Sequence, residues 1–266
     1  AKLQTRLSAF GALKGALSAF QGSVATLADP AKFNGITATI SDSTLASVSA
    51  TPAAIAGSHS LEIQTLAQSQ KLKSANLTTT NTKVGSGTLK IKVGTYSSGT
   101  FTLNADKAAQ SIVISPSNSS LAGIRDAINQ ADAGVTASIV NDGSGNRLVI
   151  ASKDTGVSNA LKITTIDSDG NNSDNTGLSQ FVYDASTGGV SNLAETVAAS
   201  NASFIIDGIS ISKASNKVTD AIEGVTIDLL KANPGSTTTL NLAHDTANTQ
   251  SAVTSFVKAF NELNKT

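Results

Sequence analysis

Cysteine, methionine and tryptophan are absent from this 266-residue chain, and only 4% of its residues are aromatic. Without cysteine there is no disulfide, no thiolate nucleophile and no Cys-type zinc site, and the redox compartment stays undetermined. Net charge is also lacking, since 19 basic and 19 acidic residues cancel. That balance argues against a polyanion held by a net positive field, and so against nucleic acid. No run of about 18 apolar residues occurs, so no membrane insertion is expected. There are only two histidines, His59 and His244. Neither lies in an HExxH or His-Cys arrangement, and both read as surface or turn residues. The serines have no G-x-S-x-G setting. The missing Met and an immediate start in a helix lead us to expect a piece of a longer protein.

What is present is ordered. Hydrophobic residues make up 39% of the chain and recur with regular spacing, so the composition is that of a folded protein. Leu3, Leu7, Phe10, Leu13, Leu17, Phe20, Val24 and Leu27 follow one another at steps of three and four, which places them along one stripe of a helix. At the other end Val253, Phe256, Phe260 and Leu263 form a second, shorter stripe. A Leu or Phe left wet forgoes about 1.5–3 kcal/mol of burial, so the two ends are expected to pack antiparallel as a stalk. The alternative is a pair of helices covering one face of an ordinary single domain.

Between the ends the spacing is that of strands and turns. Alternating pairs such as Ala38 with Ile40 and Leu61 with Ile63 open a first β-rich block, and the aperiodic stretch 76–83 marks a domain crossing. Leu89, Ile91 and Val93 then lead through Ser97 to Gly99 into Phe101 and Leu103, which predicts a hairpin. Leu121, Ile124, Ile128 and Ala131 predict a helix behind capping candidates at 118–120, stopped by Gly134. Val135 to Ile139 and Leu148 to Ile150 predict a hairpin around 141–145. In the last block, Phe204 and Ile206 pair through Asp207-Gly208 with Ile209 and Ile211. Val225, Ile227 and Leu229 are expected to pair through Asn233-Pro234-Gly235 with Leu240 and Leu242.

These blocks predict an α+β fold in which an antiparallel helical stalk made from the two chain ends carries two β-rich heads, one inserted in the other. The expected stalk is 1–36 with 250–266, the discontinuous head 37–83 with 193–249, and the inserted α+β head 84–192. Asp167, Asp169 and Asn171 occupy alternate places of a calcium loop, but Asn172 stands where Gly is needed and Leu178 where a bidentate Glu is needed. A solvated loop is expected there. The acidic pairs Asp126 with Asp132 and Asp220 with Glu223 have no cleft to hold them, so neither catalytic residues, metal nor cofactor is expected.

Longer strings carry a resemblance. TRLSAFGALKGALSAFQ (5–21), LEIQTLAQSQ (61–70), GIRDAINQADAGVTASIVNDGSGNRLVIAS (123–152), NASFIIDGISI (201–211) and VTDAIEGVTIDLL (218–230) resemble the family of bacterial flagellar filament-capping proteins, flagellar hook-associated protein 2. The third string resembles a motif shared by flagellins and hook-associated proteins, here Ile124, Ile128 and Asn129. The resemblance implies a non-enzymatic, extracellular assembly factor exported by the flagellar secretion apparatus. It implies a ring-like homo-oligomer at the distal end of the filament that promotes folding and insertion of flagellin. An adhesin-like surface domain binding host surface glycans is the alternative.

Overall fold

A computed structural model describes residues 2–29 and 35–266. The stalk expectation for residues 1 and 30–34 lies outside the described residues. Helix α1 (Lys2–Leu27) leads into strands β1 (Ile36–Ile40), β2 (Ala46–Ala50), β3 (Gly57–Thr65) and β4 (Lys71–Lys73). Next come β5 (Gly87–Ser97), β6 (Thr100–Leu103), β7 (Gln110–Ile114), helix α2 (Leu121–Gln130), β8 (Val135–Asn141), β9 (Asn146–Ser152) and β10 (Ala160–Asp167). The chain closes with β11 (Ala194–Val197), β12 (Ala202–Ile206), β13 (Ile209–Lys213), β14 (Lys217–Val218), β15 (Val225–Leu229), β16 (Thr238–His244) and helix α3 (Thr246–Lys265). The fold is α+β, with terminal helices and, among the described residues, four sheets.

One core is built from both ends of the β-rich region. A sheet in the order β1-β16-β3-β12-β13 faces a smaller sheet in the order β14-β15-β2. Between them lie Leu61, Ile63, Phe204 and Leu240 from the first, and Ala46, Val225, Ile227 and Leu229 from the second. Strand alternation sets this directly, since β12 and β15 both read buried, half-buried, buried along their length. The expected hairpin of Val225–Leu229 with Leu240 and Leu242 does not form. β15 pairs with β2 and β14, while β16 pairs with β1 and β3. The intervening loop crosses from sheet to sheet, tied by the Leu230 and Lys231 amides to the Leu45 carbonyl and by the Asn233 side chain to the Ile63 amide at 2.9 Å.

The second core lies between a sheet centred on β5 and a sheet in the order β11-β4-β9-β8. β5 pairs with β10 along one edge, and its other edge is shared between β7 and β6. Helix α2 packs on β7 and β8, burying Leu121, Ile124 and Ile128. Ser120 caps it by accepting from the Gly123 amide at 3.1 Å. Gly123 is required there, because a Cβ would stand 2.3 Å from the Asn118 carbonyl oxygen. The hairpin expected through Ser97 to Gly99 forms between β5 and β6; Phe101 on it is half-buried and Leu103 exposed, because β6 lies at the outer end of its sheet.

Two boundaries differ from those expected. Leu72 on β4 is buried in the second core and pairs with Ile150, so the chain has crossed before residue 76. Three residues with one buried side chain carry too little periodicity to be read as a strand. Helix α3 begins at Thr246 rather than near 250, because the Asp245 carboxylate caps it by accepting from the Asn248 amide at 2.9 Å.

The loop after β10 is not simply solvated. Asp167 is buried, and its carboxylate accepts the Ser179 amide at 2.9 Å, holding the 3-10 turn Gly177–Phe181 that sinks Leu178 and Phe181 into the second core. Of the acidic residues set aside earlier, Asp132 pairs with Lys153 and Asp220 with Lys213.

Candidate assembly interface

The two terminal helices lie side by side. Phe20 of α1 meets Phe256 and Phe260 of α3, with ring centroids at 5.5 and 6.1 Å, and those two rings stack on each other at 6.5 Å. At the far end Thr266 lies in a shallow groove with Arg6, Phe10 and Leu13. The direction is therefore antiparallel.

Only part of the predicted stalk seam is covered. Phe20, Leu27, Phe256 and Leu263 are half-buried, and Ala252, the small residue one turn before Phe256, is the one buried residue of α3. Leu3, Leu7 and Phe10 are 83%, 74% and 71% exposed. Leu13, Leu17, Val24, Val253 and Phe260 are also exposed. Of the predicted seam, the described chain covers Phe20, Leu27, Phe256 and Leu263 in part and leaves the other residues exposed. Val257, outside the predicted seam, adds to the exposed apolar surface of α3, in a groove with Val253 and Lys258.

The internal motif is arranged differently. Ile124 and Ile128 point into the second core. Asn129, the next residue, faces the edge of β8, and its carboxamide makes two hydrogen bonds to the backbone of Ala137, each 2.8 Å. β8 is an edge strand of its sheet, so the Asn129 side chain occupies the N–H and C=O that a further strand would otherwise take. Arg125 and Asp126 pair with each other on the wet side.

Sequence reasoning missed a polar cluster beside the second core. Gln70, buried, accepts the Leu161 amide at 2.6 Å and donates to the Tyr183 hydroxyl and the Glu195 carboxylate. The Tyr96 hydroxyl donates to the Leu161 carbonyl at 3.1 Å, and the Tyr96 and Tyr183 rings meet edge-on at 6.5 Å. Burial raises both phenols, Tyr183 to about 12. A lone Gln in a polar stretch gives no periodic signal. His59, read as a surface residue, is held by Asp207 at 2.7 Å.

Three family models match the chain. Flagellar hook-associated protein 2 N-terminus covers residues 1–70, flagellar hook-associated protein 2 C-terminus covers 199–266, and the flagellin hook IN motif covers 88–154. Among curated relatives, the B-type flagellar hook-associated protein 2 of Pseudomonas aeruginosa is 38% identical over 98% of this chain and 54% of its own length. That of Escherichia coli K12 is 37% identical over 97% of this chain and 52% of its own length. The chain thus spans about half the length of the curated relatives it matches. Among solved structures, the flagellar cap protein D1-D2-D3 domains from Escherichia coli superpose with a TM-score of 0.80 at 36% identity, covering 97% of this chain and 68% of that one. The Pseudomonas aeruginosa PAO1 protein superposes with a TM-score of 0.67 at 35% identity, covering 84% and 94%. The adhesin alternative finds no support in these comparisons.

Proposed function

The chain belongs to the flagellar hook-associated protein 2 family, and from that premise we propose that it supplies the leg and heads of an extracellular cap at the distal end of the flagellar filament. In this reading copies of the chain form a ring that shelters exported flagellin while it folds and inserts beneath the cap. Its work is mechanical and involves no chemical step. Flagellin, the filament end and further copies of the chain are its partners.

The observation that carries the reading is the uncovered seam. Leu13, Leu17, Val24, Val253 and Phe260 stay exposed even where the two helices run side by side, and each such side chain gains about 1.5–3 kcal/mol when removed from water. A helix with that face belongs in an assembly. Leu3, Leu7, Phe10, Leu13, Leu17, Phe20, Val24 and Leu27, with Val253, Phe256, Phe260 and Leu263, form the leg seam.

The β-rich part divides into two heads. The pairing of Gln68 with Ser200 supports this division, with residues 71–197 as the inserted head. The N-terminus and C-terminus family models stop at 70 and resume at 199, which agrees.

The test is made in the source bacterium. The gene is deleted, purified full-length protein is added to the medium, and the polymeric fraction of flagellin is measured. Spilled monomeric flagellin that becomes filament on addition is the expected outcome. Normal filament growth in the deletion strain would overturn the reading.

A further inference from the structure

Among the described residues the chain passes between its two cores twice, after Gln68 and before Ser200, where the two backbones exchange hydrogen bonds of 2.9 and 3.1 Å. A pair of adjacent extended strands resists stretching but bends and twists readily, so something else must set the angle between the cores. The loop after β9 is placed to do so. It leaves the second core at Lys153 and reaches the β13–β14 loop of the first.

Its contacts are specific. The Thr155 hydroxyl donates to the Ala214 carbonyl at 2.6 Å. The Gly156 amide donates to the Gln68 carbonyl at 3.1 Å, sharing that oxygen with the Ser200 amide. The Val157 amide donates to Asn201 Oδ1 at 3.0 Å. Between these bonds Gly156 is buried at φ +97°, and a Cβ there would meet Ala214 Cβ at 2.5 Å and Ala214 Cα and O at 2.8 Å. Two of those are backbone atoms, which cannot turn aside as a side chain can. On the first-core side, Asn216 holds the neighbouring chain in place through two bonds to the backbone of Ala67, at 2.7 and 3.0 Å.

We propose that Thr155, Gly156 and Val157 form a latch against Ala214 and Asn201 that fixes the angle between the two cores, with Gln68 and Ser200 as the hinge beneath it. With the latch closed the two cores turn as one lever. With it open they swing about the paired strands while each core stays folded. Glycine is needed at 156 for two reasons, the left-handed backbone and the close approach, and they can be separated. Gly143, at φ +86°, has the first demand without the second, because nothing lies within 4 Å of its would-be Cβ.

The absence of cysteine makes the test clean. Spin labels placed by Ser47→Cys on the first core and Ser111→Cys on the second, both exposed positions, report the angle as a distance distribution by pulsed electron resonance. The parent protein should give one narrow distance. Gly156→Ala should add a displaced, broader population, as should Thr155→Val combined with Asn201→Ala, which removes two latch bonds without adding bulk. Gly143→Ala should leave the distribution unchanged. Distributions in both latch variants that superpose on the parent's, or a parent distribution already as broad as theirs, would overturn the proposal.

Discussion

Asn129 grips Ala137 by both halves of its backbone. Nδ2 donates to the Ala137 carbonyl and Oδ1 accepts from the Ala137 amide, each at 2.8 Å, across eight residues of sequence. A carboxamide has the donor and acceptor spacing of a peptide group, so one side chain ends the sheet where β8 would otherwise present a bare edge. The same turn of α2 drives Ile128 into the core, and docking of the helix and termination of the sheet become one event.

Asn129→Ala should therefore lose both bonds and cost about 1–3 kcal/mol, since the Ala137 groups are left to find water at a crowded edge. Thermal unfolding measures the loss. Asn129→Asp keeps the acceptor but sets a carboxylate against the Ala137 carbonyl, and should be at least as destabilising. An unchanged melting temperature in both variants would show that the clamp contributes nothing.

Phe20 and Phe10 lie on one stripe but should behave oppositely. Phe20→Ala removes two ring contacts, each worth about 0.5–1.5 kcal/mol beyond its area, and should raise amide exchange across α3. Phe10→Ala, at a side chain 71% exposed, should leave exchange in the single chain unaltered and weaken self-association, read by sedimentation.

The two tyrosines provide an alkaline test, because the chain has no others and no tryptophan. Burial raises the phenol of Tyr183 to about 12 and that of Tyr96 further. A raised folded value means that the unfolded chain ionises first. The contribution to stability is whole below pH 10 and is lost as the pH climbs through the folded values. Absorbance at 295 nm should show little tyrosinate at pH 10.5 in the folded protein and substantial tyrosinate in denaturant.

On the acid side Asp207 carries the opposite sign. Its carboxyl is held below the usual range by its hydrogen bond with His59, and next by the Ser60 amide at 2.7 Å. Its contribution is present above pH 3.8 and fades as the pH falls below it. Asp207→Asn tolerates the left-handed turn at φ 49° and should flatten the acid limb of the stability profile. A limb of unchanged slope would count against the pairing.

The sequence by itself determined everything that repeats along one element. The stripe from Leu3 to Leu27, the alternation of Leu89, Ile91 and Val93, the helix over Leu121, Ile124 and Ile128, and the turn at Asp207-Gly208 follow from which face of a local structure must be dry. Tertiary structure alone decided what each face meets. β15 and β16 are both correct as strands, yet they lie in different sheets, because pairing is chosen by the whole core and not by the turn between them. Leu72 crosses early because one buried leucine carries no period. Gln70 and Asn129 carry no period either, since a hydrogen bond is made with whatever backbone the fold brings within 3 Å. The limited cover of the leg seam had the same origin, for a stripe read along one helix contains no information about which of its residues the neighbouring helix meets.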